Sequence, residues 1–100
     1  MRRAAKVDHN QGYIVEALRR AGASVALTHQ IGAGFPDLVV AYVDRETGRT
    51  ETMLLEVKNP AVPYHDQRLT FEEEQFHDMW IGRLLVVRTV DEALKAIGAL

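Results

Sequence analysis

Residues 36–58 read Pro-Asp-Leu-Val-Val-Ala-Tyr-Val-Asp-Arg-Glu-Thr-Gly-Arg-Thr-Glu-Thr-Met-Leu-Leu-Glu-Val-Lys, two strand-forming runs around a polar turn. Pro36 can open a strand but cannot sit inside a central one, so the first strand is expected to start at Asp37. Residues 38–43 are continuously apolar, as in a strand buried on both faces. Residues 44–49 are polar and carry Gly48, and residues 50–58 form the return strand. The pair reads as an antiparallel hairpin.

Working outward from the hairpin, residues 10–21 place Ile14, Val15 and Leu18 on one stripe, with Glu16, Arg19 and Arg20 facing away. That is the pattern of an amphipathic helix. Gly22 is placed to end it, and the two arginines in the last turn suit the negative end of the helix dipole. Residues 24–28 read as a short strand, and Gly32-Ala33-Gly34 interrupts the chain before Pro36. On the far side, Asn59-Pro60 and Pro63 mark a loop over residues 59–69. Thr70-Phe71-Glu72-Glu73 has the spacing of a capping box, which predicts a second helix with Phe76, Met79 and Trp80 as its apolar face, Phe76 and Trp80 reading as core or dimer interface. Residues 84–87 are a buried strand, and residues 91–97 a last helix with Ala93, Leu94 and Ile97 inward. The expected fold class is therefore α/β, a mixed central sheet flanked by helices in the order α-β-β-β-α-β(-α).

One hundred residues leave room for a single domain over residues 1–100, with residues 1–9 expected to be a flexible basic tail around Arg2, Arg3 and Lys6. The composition, 47% hydrophobic and 26% charged, excludes disordered and collagen-like chains. The absence of cysteine excludes a disulfide scaffold, thiolate zinc sites and a cysteine nucleophile. The longest aliphatic and aromatic run has six residues against the ~20 a membrane helix needs, so no membrane partner is expected and an intracellular, cytoplasmic location fits. The net charge of −2 argues mildly against nucleic acid, although acidic metal ligands would depress the total while basic residues cluster locally.

The chemistry concentrates in the hairpin. Asp37 stands where the first strand begins. On the return strand, alternation sends Glu56 and Lys58 to one face and Val57 to the other, with the two charged residues about 7 Å apart at Cα. Charges at the end of an apolar strand are costly to desolvate unless paired or bound to an ion. One reading is a hard-cation site, with oxygen ligands from Asp37, Glu56 and the Val57 backbone carbonyl and with water completing the shell, as Mg²⁺ prefers. A water held by that ion becomes acidic enough to attack a phosphodiester, and Lys58 would orient it or offset charge in the transition state. The plainer alternative is a salt bridge in which Lys58 neutralises Glu56 while Asp37 merely opens a strand.

With Gly34-Phe35-Pro36-Asp37 followed by Glu56-Val57-Lys58, the chain resembles the PD-(D/E)XK nuclease superfamily, and more closely its small VRR-NUC branch of stand-alone, phage-type nucleases. The resemblance runs over residues 10–98. It includes the Asn-Gln-x-x-Ile-Val helix opening, Leu-Thr-x-x-Glu with Phe76-His77 and Trp80, and the closing Val-Asp-Glu-Ala-Leu. It implies a restriction-endonuclease-like core and a Mg²⁺- or Mn²⁺-dependent DNA endonuclease selective for branched DNA such as Holliday junctions, acting as a homodimer. It carries over Asp37 and Glu56 as metal ligands and Lys58 as the catalytic lysine. Where the family usually has a glutamate on the first helix, Glu16 lies on the polar face here and Gln11 on the inward stripe. Gln11 is therefore taken as the contact to the site. Where the family often has a glutamine on the second helix, this chain has Glu73, which closes the capping box; Gln75 is displaced by two positions.

In the loop after Lys58, Tyr64 and Arg68 are candidates to stack on or clamp a DNA strand, the alternative being a solvated connector. His29 and His65 lie near enough in sequence to contact phosphate, or else are exposed loop histidines. No His-Glu-x-x-His spacing occurs, which excludes that kind of zinc site, and His77 reads as a structural or exposed residue rather than a ligand. The competing functional class is a DNA-binding or assembly module on the same fold with little or no catalysis. It is motivated by the missing first-helix carboxylate.

Overall fold

The computed structural model describes residues 9–100. The basic stretch with Arg2, Arg3 and Lys6 lies outside them. The elements in chain order are α1 (Gln11–Arg20), β1 (Ser24–Leu27), β2 (Leu38–Val43), β3 (Thr50–Val57), α2 (Tyr64–Gln67), α3 (Phe71–Met79), β4 (Leu84–Val87) and α4 (Val90–Ala96). The fold is α/β with one four-stranded mixed sheet in the order β1-β2-β3-β4. The first three strands run antiparallel, and β4 lies parallel to β3. The expected order holds except for α2, a single helical turn inside the predicted loop. No described helix is long and apolar enough to cross a membrane.

Alternation along the hairpin sorts its residues between two faces. Leu38, Val40, Met53, Leu55 and Val57 point to one side, where they meet Ile14 and Leu18 of α1 and Ala93 and Ile97 near α4. This is the hydrophobic core, and each fully buried Leu or Ile in it contributes roughly 1.5–3 kcal/mol. The opposite face carries the register row Ala26, Val39, Leu54 and Leu84, continued towards the strand ends by Glu56 beside Val86. The connection from β3 to β4, with α2 and α3, approaches that second face.

The helix at α3 begins as its sequence predicts. The Thr70 hydroxyl accepts from Glu73 N at 3.2 Å, and Glu73 Oε1 accepts from Thr70 N at 2.8 Å. Its apolar face is covered only in part. Phe76 is half-buried between Phe35 (ring centroids 5.2 Å apart) and Trp80 (5.4 Å), but Met79 is 82% exposed and Trp80 43%. The apolar stripe of Phe76, Met79 and Trp80 spans little more than one turn, and α3 is held to the rest of the fold mainly at its first turn. There Gly34, at φ +82°, lies against the backbone: a Cβ on Gly34 would overlap the Glu72 carbonyl and come 2.9 Å from Glu73 N. Only glycine permits that approach and that φ together.

Candidate active site

Apart from solvent-facing positions, the strongly polar side chains gather at one end of the sheet. Gln11, Asp37, Glu56, Lys58 and Asn59 are all buried. Asp37 immediately precedes β2, where the Pro36 carbonyl is fixed by the Thr28 hydroxyl (2.8 Å) and the Asp37 carbonyl by Thr28 N–H (2.8 Å). That anchoring points the Asp37 side chain at the neighbouring strand, where Oδ2 accepts from Val57 N–H at 2.8 Å. In an extended strand a residue's N–H and C=O point to the same side, so the Val57 carbonyl faces the Asp37 edge too.

Glu56 and Lys58 share a face, as alternation requires. The Lys58 ammonium lies 3.6 Å from Glu56 Oε2 and 2.9 Å from Glu73 Oε1, which also closes the α3 capping box. Glu73 thus fixes both the first turn of α3 and the head of Lys58. The sequence reading assigned it only the first of these tasks. Asn10 also gains a role that spacing did not disclose. Its Nδ2 donates to the carbonyls of Lys58 (2.9 Å) and Arg88 (2.8 Å), tying the start of α1 to the ends of β3 and β4. The one hint in the sequence is a helix-opening asparagine, which normally caps its own helix; here no such cap forms.

The electrostatics follow from burial. Glu56 is 2% exposed, and no hydrogen-bond donor among the described residues reaches its Oε1. Burial pushes its pKa up to about 10, with the charge of Asp37 and the adjoining Glu73 carboxyl acting in the same direction. In the absence of a cation Glu56 therefore holds a proton at neutral pH and can donate it to its carboxyl neighbours. Asp37 is raised as well, by burial, against the opposing bond from Val57 N–H. Glu73 is lowered: burial opposes its charge, but hydrogen bonds from Glu56, Thr70 N–H and Lys58 prevail. Lys58 is also buried, which disfavours its charge, yet Glu73 and then Glu56 and Asp37 raise it above the ordinary lysine value. Lys58 is a fixed cation.

Among the described residues no three His, Cys, Asp or Glu side chains converge as a ready-made metal cage. The donor set on offer is the carboxylate pair of Asp37 and Glu56 with the Val57 carbonyl on the Asp37 edge. That set is hard oxygen, and the buried Glu56 oxygen without a donor is an acceptor site that a divalent ion would satisfy.

The remaining sequence candidates divide. Gln11 is buried with no partner for its Oε1 among the described residues. Tyr64 and His65 are exposed on α2, and His65 lies 3.3 Å from Asp66. Arg68 follows α2 on the surface. His29 departs from the exposed-loop alternative: it is half-buried, and its Nδ1 is sequestered without a partner among the described residues. His77, one turn beyond Glu73 on α3, has a buried Nε2 and a pKa lowered by burial. The chain matches no family model, curated protein or solved structure.

Proposed function

We propose that this chain is a divalent-metal-dependent endonuclease that hydrolyses phosphodiester bonds in DNA. The observation that carries the reading is the buried cluster at the mouth of the hairpin: Asp37 and Glu56 brought together from neighbouring strands, Lys58 beside them, and one Glu56 oxygen left without a donor. Asp37, Glu56 and the Val57 carbonyl would hold Mg²⁺ or Mn²⁺. When bound, such an ion makes a water more acidic and offsets charge on the phosphate. Lys58 keeps its proton and presents a hydrogen-bonding cation to a non-bridging phosphate oxygen, where negative charge builds during cleavage. Glu73 positions that ammonium through a 2.9 Å hydrogen bond, and Asn10 steadies the backbone behind it.

The restriction-endonuclease-like core, the preference for branched DNA and the homodimer belong to the same proposal. The dimer reading is supported by the exposure of the large apolar side chains Phe71, Met79 and Ile81 on and after α3. A two-fold pair would present two sites to a symmetric junction. Sedimentation at working concentration tests it, and a fully active monomer would exclude it.

A second reading, a DNA-binding or assembly module with little catalysis, is favoured by the neutral Gln11 at the buried first-helix position and by the two carboxylates already holding Lys58. One experiment separates the two. Supercoiled plasmid and a four-way junction are incubated with Mg²⁺ or Mn²⁺ and the wild-type chain, Asp37→Ala, Glu56→Ala or Lys58→Ala. The nuclease reading expects cutting by wild type alone; DNA binding without cutting in either metal selects the module.

A further inference from the structure

Glu56 has a cross-strand neighbour on its own face, Val86 of β4. Val86 is part of an open cleft of about 570 Å³ whose other walls include Tyr64, His65, Arg68, Thr70 and Arg88. Two links join this cleft to the carboxylates. Val86 lies directly beside Glu56 in the sheet, and Thr70 N–H shares the Glu73 Oε1 acceptor with the Lys58 ammonium. The cleft therefore borders the carboxylate cluster on its β4 side, by way of Glu56 and Glu73.

Arg88 is built into this wall. Its N–H is held by Glu92 (2.6 Å), its carbonyl by Asn10 (2.8 Å), and its Nε donates to Gln67 Oε1 (3.2 Å). Those three bonds fix the base of the guanidinium, while no hydrogen bond or ion pair among the described residues uses its two terminal nitrogens. Arg68 likewise has no ion-pair partner among the described residues. Glu74 is the carboxylate of the lining, so two guanidinium groups outweigh one acid there, on a chain whose net charge is −2. Tyr64, at the rim, presents a ring that is 78% exposed. Two forked cations, an exposed aromatic face and an apolar floor are the parts that hold unpaired nucleic acid: phosphates on the forks, a base on the ring. A cleft of about 570 Å³ has room for one or two nucleotides, and an exposed ring stacks on a base whose face is open, which an intact duplex hides.

We propose that this cleft holds an unpaired stretch of the DNA strand next to the scissile phosphate, with Arg88 and Arg68 on its phosphates and Tyr64 stacked on a base. The proposal rests on the nuclease reading for its neighbour, the cutting site, but its test does not require cutting. A fluorescein-labelled 12-nucleotide oligothymidylate and a blunt 12-base-pair duplex are titrated with the full chain in Ca²⁺, and anisotropy is read across a NaCl series. The single strand should bind more tightly than the duplex. Arg88→Ala should flatten the slope of log affinity against log salt by about 0.7, the loss of one phosphate contact to a single strand. Tyr64→Ala should weaken binding roughly 5- to 100-fold with the slope unchanged, as loss of one stacked base requires.

Arg88→Lys should keep the slope and lose part of the affinity. Arg68→Ala, on an exposed turn, provides a second slope measurement should Arg88→Ala unfold. Equal affinity for the two DNAs, or wild-type binding and slope in the Arg88, Arg68 and Tyr64 variants, overturns the cleft. Wild type that cuts plasmid while these variants bind normally refutes the cleft and leaves the nuclease. Strand binding that depends on these residues, with no cutting in Mg²⁺ or Mn²⁺, refutes the nuclease and leaves the cleft.

Discussion

Replacing Glu56 by glutamine should stabilise the metal-free protein, and by an amount that grows with pH. In the folded chain the Glu56 carboxyl titrates at about 10, against an ordinary glutamate value of 4.5. Between those values the folded state binds one proton more than the unfolded state, so folding stability falls as pH rises. The contribution is complete below pH 4.5 and is lost progressively on the way to pH 10. Each pH unit inside the window removes about 1.4 kcal/mol, so raising the pH from 7 to 9 costs about 3 kcal/mol. Against the 5–15 kcal/mol typical of a small domain that is a large fraction, equivalent to a melting shift of roughly 10–20 °C. Asp37, raised by burial, acts in the same sense as Glu56 from 3.8 upward, while the remaining shifted groups lie outside the span from pH 7 to 9. His77 and Glu73 are lowered, so their linkage lies below pH 6.5 and 4.5 respectively. Lys58 is raised above 10.5.

The assay is urea denaturation followed by far-ultraviolet circular dichroism at pH 7, 8 and 9 in EDTA, then in Mn²⁺. Wild type should lose stability steeply across the series, and Glu56→Gln, which imitates the protonated side chain and cannot titrate, should be markedly flatter, any slope it keeps belonging to Asp37. Mn²⁺ should restore wild type by about 2.7 kcal/mol at a hundred times its dissociation constant, more readily at pH 9 where fewer protons compete. It should do little for Glu56→Gln. Parallel pH slopes for the two proteins, or equal stabilisation of both by Mn²⁺, would refute the reasoning from burial to a held proton and from a held proton to a cation site.

Three further outcomes follow from the same geometry. Lys58→Met should lower cleavage roughly 10²- to 10³-fold, the scale for removing one transition-state donor, while Mn²⁺ still stabilises the variant; loss of Mn²⁺ stabilisation would show that Lys58 only organises the carboxylates. Gly34→Ala forces a non-glycine residue to φ +82° and drives a Cβ into the Glu72 carbonyl, so a loss of at least about 2 kcal/mol is expected by denaturant unfolding, and a change under 0.5 kcal/mol would contradict the close approach. Asn10→Ala strands the Lys58 and Arg88 carbonyls and should cost about 1–3 kcal/mol by the same measurement; an unchanged midpoint would mean that water replaces the amide fully.

The hairpin was legible because local rules agree there. Alternation placed Leu38, Val40, Met53 and Leu55 on the core face, and Gly48 at φ +72° supplied the turn. The capping box at Thr70 was legible for the same reason: its donors and acceptors lie within four residues of one another. Long-range pairings were not. Nothing in the spacing of Lys58 and Glu73 shows that the approach of Gly34 brings the α3 turn onto the lysine, and Arg88 enters the cleft wall only through its parallel neighbour β3. The short helix α2 escaped notice because a single turn has no hydrophobic period to read. How much of the Phe76, Met79 and Trp80 face is covered was not legible, because a stripe of apolar spacing does not reveal whether a sheet four strands wide extends far enough to cover it.

The salt-bridge alternative can be weighed from the charges in place. One lysine pairing with one glutamate would account for Lys58 and a single carboxyl. The cluster holds three carboxyls and one ammonium, and the ammonium sits closer to Glu73 (2.9 Å) than to Glu56 (3.6 Å). Asp37 is partly satisfied by Val57 N–H. That leaves Glu56 as the surplus acid, buried deepest of the three, with an oxygen that no donor among the described residues reaches. A sheet built only for stability would gain from an apolar residue there, since burying an unpaired acid costs more than the pair with Lys58 returns. The surplus is tolerable with a proton, which is held until pH approaches 10, or with a cation that displaces the proton. With the proton, Glu56 hydrogen-bonds to Glu73; a cation would instead join it to Asp37, and the Mn²⁺ arm of the denaturation series separates the two.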